Sequence, residues 1–321
     1  MTWTGAGTSA NMAAMAPFTV EDIDDQSGRT AVVTGANSGL GLETSTALAA
    51  HGAHVVMASR SPERLTAAAS EVRRRHRAAS VSTITLDLAS LESVSTAAAE
   101  ILAAHDRLDL LVDNAGVMAI PPATTADGFE MQFGTNHLGH FALTGLLLPA
   151  MVTVAGSRVV ALTSLARRIG RIDFDDLHGR RRYGRWKAYS QSKLANLVFV
   201  EELERRLRAA RAATIAVAAH PGYAATNLQS GSTWLQERTY QIGNALFAQS
   251  ASAGALPSLY AAVAPGVAGG ELFGPDKMGG SRGHPRRDRI EKRALDREVA
   301  RRLWDVSVEE TGVDYAFLAA R

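Results

Sequence analysis

The chain has no cysteine. That excludes disulfides, thiolate metal sites and cysteine nucleophiles, and it fits a reducing compartment. Long hydrophobic runs are missing too. The greasiest stretch, Phe141–Val154, is interrupted by Thr144, Gly145, Pro149 and Thr153. It falls short of the ~18 apolar residues expected of a membrane span. Residues Met1–Ser27 carry neither Lys nor Arg, so the charged start of a secretory signal is lacking. We therefore expect a cytoplasmic protein without a membrane span.

A large charge excess is also lacking: 34 basic residues face 32 acidic ones, for a net charge of +2. The basic residues do form short runs at Arg73–Arg75, Arg180–Arg182 and Arg286–Arg287. A polyanion site or solvated helix and loop faces would both produce them. The near balance of charge favours solvated faces, so no nucleic-acid partner is expected. With 46% hydrophobic and 21% charged residues, the composition is that of a globular domain with a substantial core. No repeat or low-complexity linker divides the chain.

What is present is an alternation of short apolar runs and longer helical stretches. Strands are expected at Thr30–Thr34, His54–Ala58, Thr83–Asp87, Leu108–Asp113, Arg158–Thr163 and Thr214–Ala219, with a last short one at Gly270–Phe273. Helices are expected at Gly39–Ala50, from Ser61 and Pro62 onward, at Leu91–Ala104, Phe129–Leu147 and Ala188–Arg208. A charged surface helix is expected at Asp288–Val308. Parallel strands need crossover connections. The fold class is therefore α/β: a single-domain, doubly wound parallel sheet with helices on both faces. Residues 1–27 read as an N-terminal extension, 28–321 as the domain, and 227–252 as a substrate lid.

The first strand and helix flank Thr34-Gly35-Ala36-Asn37-Ser38-Gly39-Leu40-Gly41. Its glycines permit a sharp turn and close ligand approach, and the helix N-terminus offers free N–H groups to a pyrophosphate. The spacing is G-x-x-x-G-x-G. A Gly-rich turn that merely packs helix on strand is the bland alternative, and the strand–turn–helix context favours nucleotide binding. An acidic residue after the second strand would grip a ribose hydroxyl, but Ser59 and Arg60 stand there. Arg60 suits a 2′-phosphate, so NADP(H) is expected ahead of NAD(H).

Tyr189-Ser190-Gln191-Ser192-Lys193 places a phenol and an ammonium on one helix face. A tyrosine of pKa ~10 is a poor acid–base until a neighbouring charge favours its phenolate, and Lys193 is expected to supply that charge. With 6 tyrosines in 321 residues and few lysines, chance gives about 0.07 such pairs. Ser164 follows a strand, where ligands lie in a doubly wound sheet. Asn114, in Asp113-Asn114-Ala115-Gly116, is expected at the same edge.

Together these residues resemble the short-chain dehydrogenase/reductase family. The motifs are TGANSGLG (Thr34–Gly41), DNAG (Asp113–Gly116), Asn136 in GTNHLGH, Ser164 in LTSLA, YSQSK (Tyr189–Lys193) and PGYAAT (Pro221–Thr226). They run in family order from Gly28 to about Phe273. NHLGHFALT, FDDLH with WKAYSQSKLANLVF, and GPDKMGG are similar to the retinol dehydrogenase-like and WW-domain oxidoreductase-like branch. Two departures stand out: Asp113 where the family has Asn, and Thr163 where the branch often has Ser. The excess of Arg over Lys, with abundant Ala, is associated with GC-rich bacterial genomes.

The resemblance implies a Rossmann-type fold and a tetrad of Asn136, Ser164, Tyr189 and Lys193. Asn136 would hold a helix kink and a water leading to Lys193. Ser164 would orient the substrate oxygen, and Tyr189 would move its proton. Lys193 would also bond the nicotinamide ribose. Asp87 and Leu88 match adenine contacts; Asn114, Ala115 and Gly116 line the cofactor; Pro221, Gly222 and Thr226 match the carboxamide region. Hydride would pass between the nicotinamide and the substrate carbon without a metal. Candidate substrate walls are Leu165, Tyr183, Trp186, Tyr223 and Trp234, equally readable as ordinary packing. His178 and His220 read as structural. A homodimer or homotetramer is implied, unless the C-terminal helix covers that surface.

The rival from another class is an NADP-binding regulator without turnover. Such proteins tend to lose the Tyr or the Lys, and both are present. Nucleotide-sugar epimerases share Tyr-x-x-x-Lys but carry a different glycine spacing. Protochlorophyllide reductase is associated with cysteines this chain lacks. A surface-adaptor reading rests only on the basic runs.

Overall fold

Seven parallel strands form the sheet, and those at its centre are buried because their side chains are apolar on both faces. The computed structural model describes residues 17–223 and 250–319. In chain order the strands are β1 (Thr30–Thr34), β2 (His54–Ser59), β3 (Ser80–Thr85), β4 (Leu110–Asp113), β5 (Arg158–Leu162), β6 (Ile215–Ala219) and β7 (Leu272–Lys277). An eighth, β8 (Arg282–Arg287), turns back antiparallel on β7. The spatial order is β3-β2-β1-β4-β5-β6-β7-β8. Order reverses between β1 and β4, which opens a crevice at their carboxyl ends.

The helices are α1 (Gly39–Ala50), α2 (Pro62–Arg75), α3 (Leu91–Ala104), α4 (Met131–Phe133), α5 (Gly139–Leu147), α6 (Arg185–Ala209), α7 (Ala251–Val263) and α8 (Arg297–Thr311). They cover both faces, giving two apolar clusters, one on each side of the sheet. Ser61 caps α2, accepting from the Arg64 N–H, and Pro62 occupies its first position.

Several boundaries differ from the sequence expectations. β3 begins at Ser80, three residues earlier than expected, and ends before Asp87. It is an edge strand, so its polar side chains point outward and Ser80 and Ser82 bond His54. The helix expected at Phe129–Leu147 is interrupted by a π turn over Gly134–Leu138. α7 and β8 were not expected. α7 is buried nearly all round and contains Pro257, so it shows no amphipathic period. β8 is polar and carries Pro285, both tolerated at an edge.

The C-terminal helix starts at Arg297, nine residues later than expected, capped by Asp296. It is not simply a charged surface helix. Ala300, Leu303, Trp304 and Ser307 are buried at i, i+3, i+4, i+7 spacing, and Trp304 packs on Phe141 and Phe199. α8 thereby covers faces of α5 and α6. Before the expected start at Gly28, Phe18 and Ile23 are already buried in the core. The expected lid at 227–252, and with it Thr226 and Trp234, lies outside the described residues except for 250–252. Ser250 there caps α7.

Candidate active site

The turn after β1 is shaped by close backbone contacts. Gly35 has φ +66°, a conformation that favours glycine. A Cβ on Gly41 would strike the Gly35 carbonyl and the Asn114 amide. The Asn114 side chain donates to the Thr34 carbonyl at 2.6 Å, stitching the β4 turn to the β1 turn. The Thr34 hydroxyl accepts the N–H groups of Asn114 and Ala115, each at 2.9 Å.

These turns enclose a cleft of about 480 Å³ at the switch point. Its walls include Gly35, Asn37, Ser38, Gly39, Leu40 and Gly41 from the first turn, and Asp87 and Leu88 after β3. Asn114, Ala115 and Gly116 line it after β4, and Arg60 after β2. Ser59 lines it as well, and sequence reasoning missed Ser61, Arg64 and Thr135 here. Arg64 lies in the first turn of α2, four residues after Arg60, a spacing that could have flagged it. The Ser59 hydroxyl is buried and has no hydrogen-bond partner among the described residues. The donor-rich glycine turn, this hydroxyl and the two arginines fit a dinucleotide.

Two of the four expected catalytic positions, Asn136 and Lys193, meet beside Gly116 in the cleft wall. A Cβ on Gly116 would sit 3.0 Å from Asn136 Oδ1 and 3.3 Å from Lys193 Nζ. Asn136 lies in the π turn, a feature often found at functional sites. Its side chain accepts from the Val117 N–H at 2.8 Å and donates to the Val117 carbonyl and the Ser192 hydroxyl. Its own carbonyl accepts from His140 Nδ1 at 3.0 Å. Burial pushes His140 down to about 3, so the neutral ring accepts the Thr34 hydroxyl proton at Nε2, 2.9 Å away. Thr34 and His140 thus tie the π turn to the glycine turn. Neither was expected.

β5 and α6 fix the other half. Thr163 donates to the Lys193 carbonyl at 2.6 Å, and Asn196 to the Leu162 carbonyl at 3.0 Å. Lys193 Nζ also donates to Leu162 O, at 3.1 Å, and burial pushes its pKa down to about 8. Burial pushes the Tyr189 phenol up, while a hydrogen bond from Ser164 opposes the shift. Desolvation is the larger influence on the phenol, and the Lys193 ammonium donates to a backbone carbonyl.

The remaining candidates scatter. Trp186 is 46% exposed and meets the Tyr189 ring edge-on at 5.9 Å. Leu165 lies against the Gly280 turn, and the Tyr223 N–H donates to Ser281 O at 2.9 Å. Tyr183 has other neighbours. Its hydroxyl donates to Ile120 O and accepts from Gln132, beside a second cavity that also holds Glu130 and His178. Pro221 and Gly222 follow β6. Among the described residues, no group of three or more His, Asp or Glu is placed to hold a metal. No described helix is long and apolar enough to cross a membrane.

Residues 29–235 match the model of the short chain dehydrogenase family. The chain belongs to that family. It is 43% identical over 293 residues to retinol dehydrogenase 13 of Homo sapiens, covering 89% of this chain and 86% of that one. It is 40% identical over 290 residues to retinol dehydrogenase 12 of Mus musculus, covering 90% and 88%. These relatives put it in the retinol dehydrogenase-like branch of the short-chain dehydrogenases. A crystal structure of an uncharacterised protein from Mycobacterium paratuberculosis superposes with a TM-score of 0.78 at 42% identity, over 94% of this chain and 99% of that one. A short chain dehydrogenase from Salmonella enterica, at 23% identity and TM-score 0.60, shares the fold. As a family member the chain is an oxidoreductase that uses a nicotinamide cofactor.

Proposed function

We propose that this short-chain dehydrogenase interconverts an alcohol and a carbonyl on a small hydrophobic substrate, prefers NADP(H), and uses Tyr189 as the acid–base. The observation that carries the reading is the meeting of Asn136, Lys193 and Gly116 at one end of a cleft whose other end presents Arg60 and Arg64.

NADP(H) supplies or accepts the hydride when bound. Residues Gly35–Gly41 hold the pyrophosphate through backbone N–H groups. Arg60 and Arg64 are exposed, and neither meets a carboxylate among the described residues, so both are available to a 2′-phosphate. Asp87 and Leu88 flank the adenine. Ser164 holds the substrate oxygen. Burial keeps the Tyr189 phenol protonated, so a proton is available to that oxygen as the carbonyl is reduced, and the Lys193 charge eases its release. In the oxidative direction Tyr189 takes the proton back, and the Lys193 charge favours the phenolate. That charge is present at pH 7 and leaves as pH rises through about 8.

Trp186 and Tyr223 are exposed, and Trp186 meets the Tyr189 ring edge-on, which suits an apolar substrate. The names of the relatives make retinol with NADP+ the first pair to assay, followed by a panel of aldehydes and ketones with NADPH. Arg60→Ala is expected to weaken NADPH binding at least about tenfold and to leave NADH nearly unchanged. Equal loss for both cofactors would overturn the NADP preference. Tight NADPH binding without turnover of any compound would favour the regulator reading.

A further inference from the structure

His220, read from sequence as structural, belongs to a buried ionic cluster that spans the ends of two strands. His220 and Arg167 are both fully buried. Asp288 Oδ2 accepts from Arg167 Nη2 at 2.7 Å and from His220 Nε2 at 2.9 Å. Arg167 Nη1 reaches on to the Ser164 carbonyl at 3.1 Å. His220 Nδ1 accepts from the Gly222 N–H at 3.2 Å. An N–H must donate, so Nδ1 carries no proton and the ring is the neutral Nε2–H tautomer.

Charge in the cluster closes on itself. Arg167 and Arg168 face Asp288 and Glu291. Burial pushes the Asp288 carboxyl up, but hydrogen bonds from His220 and Arg167 outweigh it and hold it well below the usual carboxylate range. Burial also keeps His220 neutral against the pull of Asp288. Space is reserved for the ring, since any Cβ on Gly274 would occupy it. Arg168 Nη1 extends the network to Gly279 O at 2.9 Å.

One carboxylate oxygen is therefore the shared partner of two groups. One holds the turn carrying Ser164, and the other holds the turn at Pro221–Gly222. We propose that Arg167, Asp288 and His220 act as positioning residues that set the spacing between the substrate-oxygen turn after β5 and the nicotinamide turn after β6. This rests on the function proposed above, in which those two turns hold the reacting partners. None of the three is among the residues that line the cleft. Their effect is on alignment, where a misplacement of about 1 Å is worth up to about a hundredfold in rate.

Glu291→Gln supplies the control. It also removes a carboxylate from Arg167, but Glu291 has no contact with His220. The experiment measures NADPH binding by fluorescence, thermal midpoint, and kcat and KM for the best carbonyl substrate of the wild-type protein. Asp288→Asn and His220→Gln are each expected to lower kcat about 10- to 100-fold, with cofactor affinity changed less than about threefold. The double variant should be no slower than the worse single one, because both break one connection. Glu291→Gln should lower the midpoint yet keep kcat within about threefold. If Asp288→Asn fails to fold, His220→Gln carries the same expectation.

Either of two results would overturn the inference alone: kcat losses matching those of Glu291→Gln, or losses that multiply in the double variant. A wild-type protein that neither binds NADPH nor reduces any carbonyl would sink the proposed function and this inference together.

Discussion

Asp113 shows how one side chain can set a pH dependence. It stands where the family usually has Asn. Its carboxyl is buried, Oδ2 accepts from Thr144 at 2.9 Å, and Oδ1 has no partner among the described residues. Burial pushes its pKa up to about 8. The folded state therefore keeps a proton that the unfolded chain releases near pH 4. Stability from this group is complete below about pH 4 and is lost as pH rises through about 8. Asp113→Asn should remove that slope. We expect its thermal midpoint to exceed the wild type by at least about 4 °C at pH 8, with little difference at pH 4. A parallel pH profile in the two proteins would contradict the assignment. At the same scale, the rate of carbonyl reduction should fall above about pH 8, as Lys193 loses its charge.

At the scale of elements, the glycine turn and the π turn do the positioning. Gly41→Ala would drive its Cβ into the Gly35 carbonyl and the Asn114 amide. It should abolish NADPH binding measured by titration while leaving a folded protein by circular dichroism. Retained affinity would mean that the turn does not cradle the cofactor. The same elements show what a sequence can disclose. β1, α1 and α3 were legible to the residue because apolar runs meet glycines and a Ser cap at their ends. The cleft was legible because its residues lie in continuous motifs. The tie between Thr34 and His140 was not, because it arises only when separate turns meet in space. The burial of Tyr189 was not legible for a related reason: spacing on a helix reveals neighbours but not desolvation. α7 lacked a period, and β8 lacked apolar residues, so neither announced itself.

For the whole molecule, the C-terminal helix closes the fold over α5 and α6. Trp304 meets Tyr315 at 4.6 Å, and Arg206 lies 4.2 Å over its ring. Trp304→Ala should cost about 3–5 kcal/mol in denaturant unfolding; a loss below about 1 kcal/mol would mean that α8 is not part of the core. Some of the basic residues in the runs noted in the sequence meet local carboxylates. Arg74 and Arg75 pair with Glu71, and Arg287 with Glu271.

The measurement that bears most directly on the central claim is NADPH oxidation in the presence of a carbonyl substrate, by the wild-type protein and by Tyr189→Phe. The wild type should turn over. The variant should bind NADPH as well but react at least about a hundredfold more slowly, since only the proton donor is removed. Turnover by Tyr189→Phe at the wild-type rate would contradict the account.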